Sequence, residues 1–189
     1  MSDRVGGIVL AAGAGRRYGM AKALVSYQGQ LFVERAARVL VDAGCSPVVV
    51  VLGASADEVR ARADLTGVSI VDNPEWATGM GSSLRAGLAA LRNDEVAAVI
   101  LPVDTPGVTD AAVRRITAMA AADALVRATY AGVPGHPVLL GRAHWAGVSE
   151  LAAGDAGARP YLRSHPPVDV PCEDVASGAD VDRPEDLPA

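Results

Sequence analysis

Val5-Gly6-Gly7-Ile8-Val9-Leu10-Ala11-Ala12-Gly13-Ala14-Gly15-Arg16-Arg17-Tyr18-Gly19-Met20-Ala21-Lys22 is the stretch on which the fold turns. Residues 5–12 form an apolar run of strand length, and the run stops in a glycine-rich turn. Small residues let the backbone approach a ligand closely and point its N–H groups inward. Arg16, Arg17 and Lys22 add cationic heads to the same turn. Together they describe a polyphosphate site at the carboxyl end of a strand. Two common phosphate motifs fit it badly. A P-loop requires GxxxxGK followed by Ser or Thr, and Lys22 comes too late after Gly19. A dinucleotide fingerprint requires GxGxxG, and Tyr18 stands where its third glycine belongs.

Outward from this turn, apolar runs alternate with helical patterns. Residues 31–43 carry apolar side chains at helical spacing and end at Gly44, a C-cap signal. Residues 47–52 are nearly all valine, which reads as a strand buried on both faces. It is followed by Gly53-Ala54-Ser55, without the acidic residue that would hold a dinucleotide's ribose. Residues 55–63 read as a short helix with Ser55 as N-cap. Residues 68–71 and 97–103 read as strands, and 80–91 and 109–121 as helices, the last capped by Thr109. This alternation predicts parallel βαβ units with right-handed crossovers. Residues 124–140 look like a hairpin, followed by short helices at 142–151 and 157–163, a strand at 168–170 and a helical turn at Pro184. The expected architecture is α/β: one doubly wound, mostly parallel sheet in a single domain, residues 1–189, with a small hairpin and helix extension on the acceptor side.

Bulk properties narrow the function. The chain has 189 residues, half of them hydrophobic, and a net charge of −5. That balance argues against a protein that coats nucleic acid or lies on an anionic membrane. Cys45 and Cys172 show no metal-ligand spacing and read as free thiols. No apolar run reaches the length of a membrane span, and the first residues do not read as a signal peptide. The expected location is cytoplasmic.

Ligands of open α/β sheets bind at the carboxyl ends of the strands. Three polar clusters fall there: the glycine loop, Asp72-Asn73, and Asp104. Asp104 follows a buried strand that aims it into the crevice, and it is the leading candidate for a magnesium ligand. An Asx turn before Pro106 is the alternative for this residue. A second ligand would come from Asp180 or Asp182 in the tail. Backbone groups of Leu10, Ala11 and Ala12, together with Asn73, are candidates to read a base. Gly79, Ser82 and Ser83 offer close backbone approach and a helix N-terminus, or simple capping. Trp76 is a candidate pocket wall or a core cover. Arg159 would hold an anionic acceptor, or pair with Asp155.

The segment LAAGAGRRYGMAK (residues 10–22) resembles the LAAGxSxRMGxxK signature of the MobA-like nucleotidyltransferases. NPEWATGMGSSLRAGL (73–88), LPVDTPGV (101–108), GVPGHPVLL (132–140), LAAGDAGARPYL (151–162) and DVDRPEDL (180–187) resemble further blocks of that family in the same order. GVPGHPVLL and LAAGDAGARPYL are similar to its molybdenum cofactor cytidylyltransferase (MocA-like) branch. The resemblance implies a Rossmann-like nucleotidyltransferase fold and transfer of NMP, CMP from CTP in this branch, to a phosphorylated acceptor such as molybdopterin. It implies Mg2+ as cofactor and contact with a molybdoenzyme or its chaperone. It implies nucleotide binding by Gly13, Gly15, Arg16, Arg17 and Lys22, with Arg17, Lys22 and Asp104 catalytic. It also implies acceptor binding by His136 and Arg159, and metal binding by Asp104 and Asp182. For Asp182 a cap on the turn at Pro184 is the alternative, and His136 reads equally as a turn residue. Gly15 and Tyr18 depart from the signature, which has Ser and Met there. Two other functions stay open: an NAD(P)H-dependent oxidoreductase of the same family type, nicotine blue oxidoreductase-like, and a nucleotide-binding protein without catalysis.

Overall fold

The computed structural model describes residues 4–92 and 94–189; residues 1–3 of the expected domain lie outside the described residues. In chain order the strands are β1 (Val5–Ala11), β2 (Ser26–Tyr27), β3 (Gln30–Leu31), β4 (Val48–Leu52), β5 (Ser69–Asp72), β6 (Ala97–Pro102), β7 (Leu125–Tyr130), β8 (Val133–Gly141) and β9 (Val168–Pro171). The helices are α1 (Phe32–Asp42), α2 (Ala56–Arg62), α3 (Met80–Ala90), α4 (Asp110–Thr117), α5 (Trp145–Leu151) and α6 (Arg159–Ser164).

The apolar runs are the interior of one seven-stranded sheet, ordered β5-β4-β1-β6-β8-β7-β9. Every residue of β1, β4 and β6 is buried, as expected of parallel strands covered on both faces. Side chains alternate across the sheet and so build two apolar layers. Val9, Ala11, Val50, Leu52, Val99 and Leu101 meet Phe32, Leu40 and Ile116 on the face covered by α1 and α4. Ile8, Leu10, Ala12, Val49, Val51 and Ile100 meet Leu84, Leu88, Trp145 and Leu162 on the face covered by α3, α5 and α6.

Several boundaries differ from those the sequence predicts. The hairpin is part of the main sheet: β8 pairs antiparallel with β6, and β9 runs parallel to β7. Helix α4 stops at Thr117, although Thr109 caps it as expected, its hydroxyl accepting from Ala112 N. Ser55 is not a side-chain cap. It sits at φ 57°, in the left-handed region, where its hydroxyl caps nothing. The small β2–β3 hairpin, between β1 and α1, has no forerunner in the sequence reading.

The C-terminal tail is strapped across the carboxyl end of β6. Ser177 N donates to Gly107 O and Val181 N to Asp104 O, while Cys172 N donates to Thr129 O. Tyr130 wedges the strap from the hairpin side. A Cβ on Gly178 would fall 2.3 Å from its ring, and one on Gly135 2.9 Å. The ring cannot swing clear without breaking the 2.7 Å bond from Tyr130 Oη to His136 O. Gly178→Ala should therefore lift the strap at an overpacking cost of about 1–3 kcal/mol, read as a lowered urea midpoint with an unchanged slope. An unaltered midpoint would mean that the wedge does not hold the tail.

Candidate functional site

A cleft of about 370 Å³ opens at the carboxyl ends of β1 and β6. Leu10, Ala12, Gly13, Gly15, Arg16, Arg17, Lys22, Gly79, Ser83, Asp104 and Asp182 all line it, so the structure gathers most of the residues singled out in the sequence. The loop that forms its floor is closed by a Gly19 N to Gly15 O bond of 2.8 Å. Gly15 has φ +63°, and a Cβ there would stand 1.8 Å from Met20 O. That is the physical reason for one departure from the signature: no side chain fits at position 15 in this loop.

The most charged contact in the cleft joins three distant segments. Lys22 Nζ lies 3.1 Å from Asp104 Oδ2 and 2.6 Å from Asp182 Oδ1. Arg17 NH1 stands 3.6 Å from Asp182 Oδ2 on the exposed rim. Burial alone would lower the Lys22 pKa, but the hydrogen bond that Lys22 donates to Asp182 and the charge of Asp104 outweigh it, and the ammonium is held above its ordinary value. The hydrogen bond from Lys22, aided by its charge and that of Arg17, holds the Asp182 carboxyl below the usual range. Asp180 moves the other way, raised by burial and by the charges of Asp104 and Asp182. Asp182 does not cap the turn at Pro184. Asp186 takes that role, its Oδ2 accepting from Asp182 N and Arg183 N.

The donor set suits a hard divalent cation. Two carboxylates already converge on one positive charge, the Lys22 ammonium, which marks where a cation is stable. Magnesium or manganese is commonly held by one or two carboxylates plus substrate phosphates and water. Among the described residues no group of three or more His, Cys, Asp or Glu side chains is placed to hold a metal by itself. The remaining ligands would have to come from substrate and solvent.

Some expected site residues are placed elsewhere. Asn73 is 3% exposed and does not line the cleft. Its amide donates to Ser82 Oγ (2.8 Å) and Ser83 Oγ (3.0 Å), and its Oδ1 accepts from Glu75 N. Both amide hydrogens are engaged and the side chain is buried away from the cleft, where it holds the turn before α3. Ser82 shares its one hydroxyl hydrogen between the backbone carbonyls of Glu75 and Gly79 and caps no helix. Ala11 points to the opposite face of the sheet, 2% exposed. His136 and Arg159 lie off the cleft wall, yet the charges of Asp104 and Arg159 both act on the imidazole. Burial pushes His136 down to about 4, so it is neutral at pH 7. Arg159 turns its guanidinium onto the carbonyls of Asp155 and Ala156 rather than pairing with the Asp155 carboxylate. Trp76, Met80 and Asp155 also line the cleft, and of these the sequence flagged only Trp76 as a candidate wall.

Residues 7–170 match the model of the MobA-like NTP transferase domain. The chain belongs to that family. The Mycobacterium tuberculosis H37Rv protein Rv0371c superposes with a TM-score of 0.86 at 29% identity, covering 98% of this chain and 96% of its own. The same protein has also been solved as a manganese complex, with a TM-score of 0.80 at 28% identity, 97% of this chain and 95% of that one. Nicotine blue oxidoreductase from Paenarthrobacter nicotinovorans is 40% identical over 97% of this chain and 94% of its own length. The molybdenum cofactor cytidylyltransferase of Escherichia coli is 25% identical over 71% of this chain and 69% of its own, which sets the chain beside the MocA-like branch. Among the described residues no helix is long and apolar enough to cross a membrane.

Two outcomes follow from the loop and its ion pairs. Gly15→Ser restores the family's usual residue but forces a left-handed φ costing about 1–2 kcal/mol and a clash with Met20 O. Calorimetry should show nucleotide affinity falling by roughly tenfold or more; unchanged affinity would refute the loop geometry. The second concerns pH. Asp182 is depressed in the folded state, so its stabilising share is present above the ordinary 3.8 and fades as pH falls below it. Lys22 is raised, so its share is present below 10.5 and fades as pH climbs beyond. The Tm gap between wild type and Asp182→Asn should be widest between those limits and close at both ends.

Proposed function

We propose that this protein is a magnesium-dependent cytidylyltransferase that moves CMP from CTP onto the phosphate of a small acceptor such as molybdopterin. One observation carries the reading: an ammonium held between two carboxylates, directly beside a glycine loop that also bears Arg16 and Arg17. Carboxylates facing a triphosphate would repel it unless a cation lay between them. Asp104 and Asp182 would hold the metal, which when bound neutralises charge on the α- and β-phosphates. Lys22, displaced from its carboxylates, and Arg17 would contact the β- and γ-phosphates. The main-chain groups of residues 10–12 would meet the base edge.

In the reaction, an oxygen of the acceptor phosphate forms a bond to the α-phosphorus of CTP. The bond from that phosphorus to the α,β-bridging oxygen breaks, and its electron pair leaves with pyrophosphate. A phosphate dianion needs no strong base, so catalysis rests on positioning and electrostatic stabilisation. A neutral His136 agrees with this, serving as a hydrogen-bonding group towards the acceptor, with Arg159 as its anion-binding neighbour.

The oxidoreductase reading has its own support in the 40% identity to nicotine blue oxidoreductase. The geometry of the loop speaks against a dinucleotide held in the usual way. That mode sets the pyrophosphate on a helix that starts directly after the glycine turn. Here a 3-10 turn at Lys22–Leu24 and the β2–β3 hairpin intervene before α1 begins at Phe32.

Calorimetric titration with CTP and with NADPH, each with and without Mg2+, separates the two readings. The transferase reading requires magnesium-dependent CTP binding; NADPH binding with no nucleoside triphosphate binding would replace it with the oxidoreductase. Asp104→Asn should abolish turnover and remove most of the magnesium dependence of CTP binding, while metal-free binding stays equal or improves. Lys22→Ala should do two opposite things: weaken CTP binding and tighten the binding of Mn2+ in the absence of nucleotide, because the competing ammonium is gone. A fall in both affinities would place Lys22 outside the metal site.

A further inference from the structure

The cleft is chemically lopsided. One end carries Arg16, Arg17, Lys22, Asp104 and Asp182; the wall formed by Trp76, Ala77, Gly79, Met80 and Ser83 carries no cation, and its charge is the Asp155 carboxylate, with Oδ1 2.8 Å from where a Gly79 Cβ would stand. A triphosphate belongs at the cationic end and is repelled by a carboxylate, which leaves the Trp76 wall to the nucleoside. Side-chain hydrogen bonding on that wall comes from Asp155 and Ser83. The Asn73 amide and the Ser82 hydroxyl are consumed by internal bonds. A flat aromatic face remains. Trp76 is the aromatic residue lining the cleft.

Its placement is well determined. The Trp76 Cβ and Cγ lie 2.4 and 2.7 Å from where a Gly53 Cβ would be, so the root of the side chain rests on bare backbone at the end of β4, beside Ala12. The 3-10 turn Trp76–Thr78 is tied down by Gly79 N to Trp76 O (3.1 Å) and Thr78 Oγ1 to Glu75 O (2.7 Å). The indole is half-buried, and its N–H donates to no acceptor among the described residues. The other tryptophan is different: Trp145 is buried in the core, with its N–H on Leu140 O at 2.9 Å.

We infer that Trp76 is the nucleobase platform of the cleft, holding the base of the bound nucleotide by stacking on the indole. This rests on the nucleotide-binding reading above and adds the group that grips the base. Stacking is tolerant of base identity because every base presents a π-face. Trp76 therefore supplies affinity common to all nucleoside triphosphates, and selection among them is left to the main chain of residues 10–12 and the Ser83 hydroxyl.

The test begins with CTP binding to the wild-type protein in Mg2+. Wild type that binds no nucleoside triphosphate overturns the transferase reading and the platform with it. Given binding, Trp76→Ala should weaken CTP, GTP and ATP by a similar factor, roughly tenfold, and leave tripolyphosphate affinity unchanged. Trp76→Phe should retain most of the affinity. Trp145→Phe, which leaves Trp76 as the sole indole, should show fluorescence quenched by CTP but not by tripolyphosphate. Equal CTP affinity in wild type and Trp76→Ala, or no quenching of the sole indole by bound CTP, overturns the platform and leaves the transferase reading standing. If Trp76→Ala fails to fold, the Trp145→Phe titration decides alone.

Discussion

The Lys22 ammonium stands between two carboxylates that reach it from far along the chain, 82 residues away for Asp104 and 160 for Asp182. The rest of the cleft is organised around that charge. It ties the loop after β1 to the end of β6 and to the C-terminal strap. Its side chain is only 16% exposed, so its attraction for the carboxylates is screened less than that of a surface pair. The strap carries more negative charge than the ammonium offsets. Asp180 shows this, its carboxyl raised by burial and by Asp104 and Asp182. A surplus of that kind favours a cation of higher charge at this place.

Packing delivers these charges to one place. The sheet alternates its side chains between two apolar layers, so consecutive residues at the end of β1 have different fates. Leu10 and Ala12 border the cleft, while Ala11 lies against the opposite helices. The strap depends on contacts of another kind: Tyr130 fills the space that bare glycine backbone leaves on either side of it. The hairpin β7–β8 thereby supports the strap on which Asp182 lies. A segment that looks like an appendage in sequence is a structural support of the charged end of the cleft.

The same arrangement bears on how one fold can serve different chemistries. The relatives include a cytidylyltransferase and an oxidoreductase, and the framework of strands and helices does not separate them. Separation has to come from the loops. In this chain the segment between β1 and α1 is long enough to fold into its own small hairpin, which moves the first helix away from the phosphate loop. What remains at the loop is main-chain N–H, three cations and the carboxylates opposite. That set is better matched to a metal-bound triphosphate than to a pyrophosphate held on a helix dipole.

Much of the architecture was legible in the sequence because local chemistry decides it. The valine-rich run at 47–52, the apolar runs ending at Ala12 and Val103 and the periodic helices between them bury their apolar surface as parallel strands covered on both faces. The clustering of Gly13, Gly15, Arg16, Arg17 and Lys22 was likewise visible, since they are neighbours along the chain. Asp104 was legible as a strand-end residue aimed into the crevice. The sequence could not decide what depends on distant partners. Asn73 and Ser82 have the chemistry of base-reading groups, but they are buried and bonded to each other and to the turn before α3. Asp182 could have been a cap or a ligand; Asp186 satisfies the backbone and leaves its carboxylate for Lys22. Trp76 could have been core or wall, and only its seat on Gly53 beside Ala12 puts it at the cleft. Periodicity and propensity act over a few residues, whereas hydrogen-bond satisfaction and charge pairing are settled by whichever segments the fold brings together.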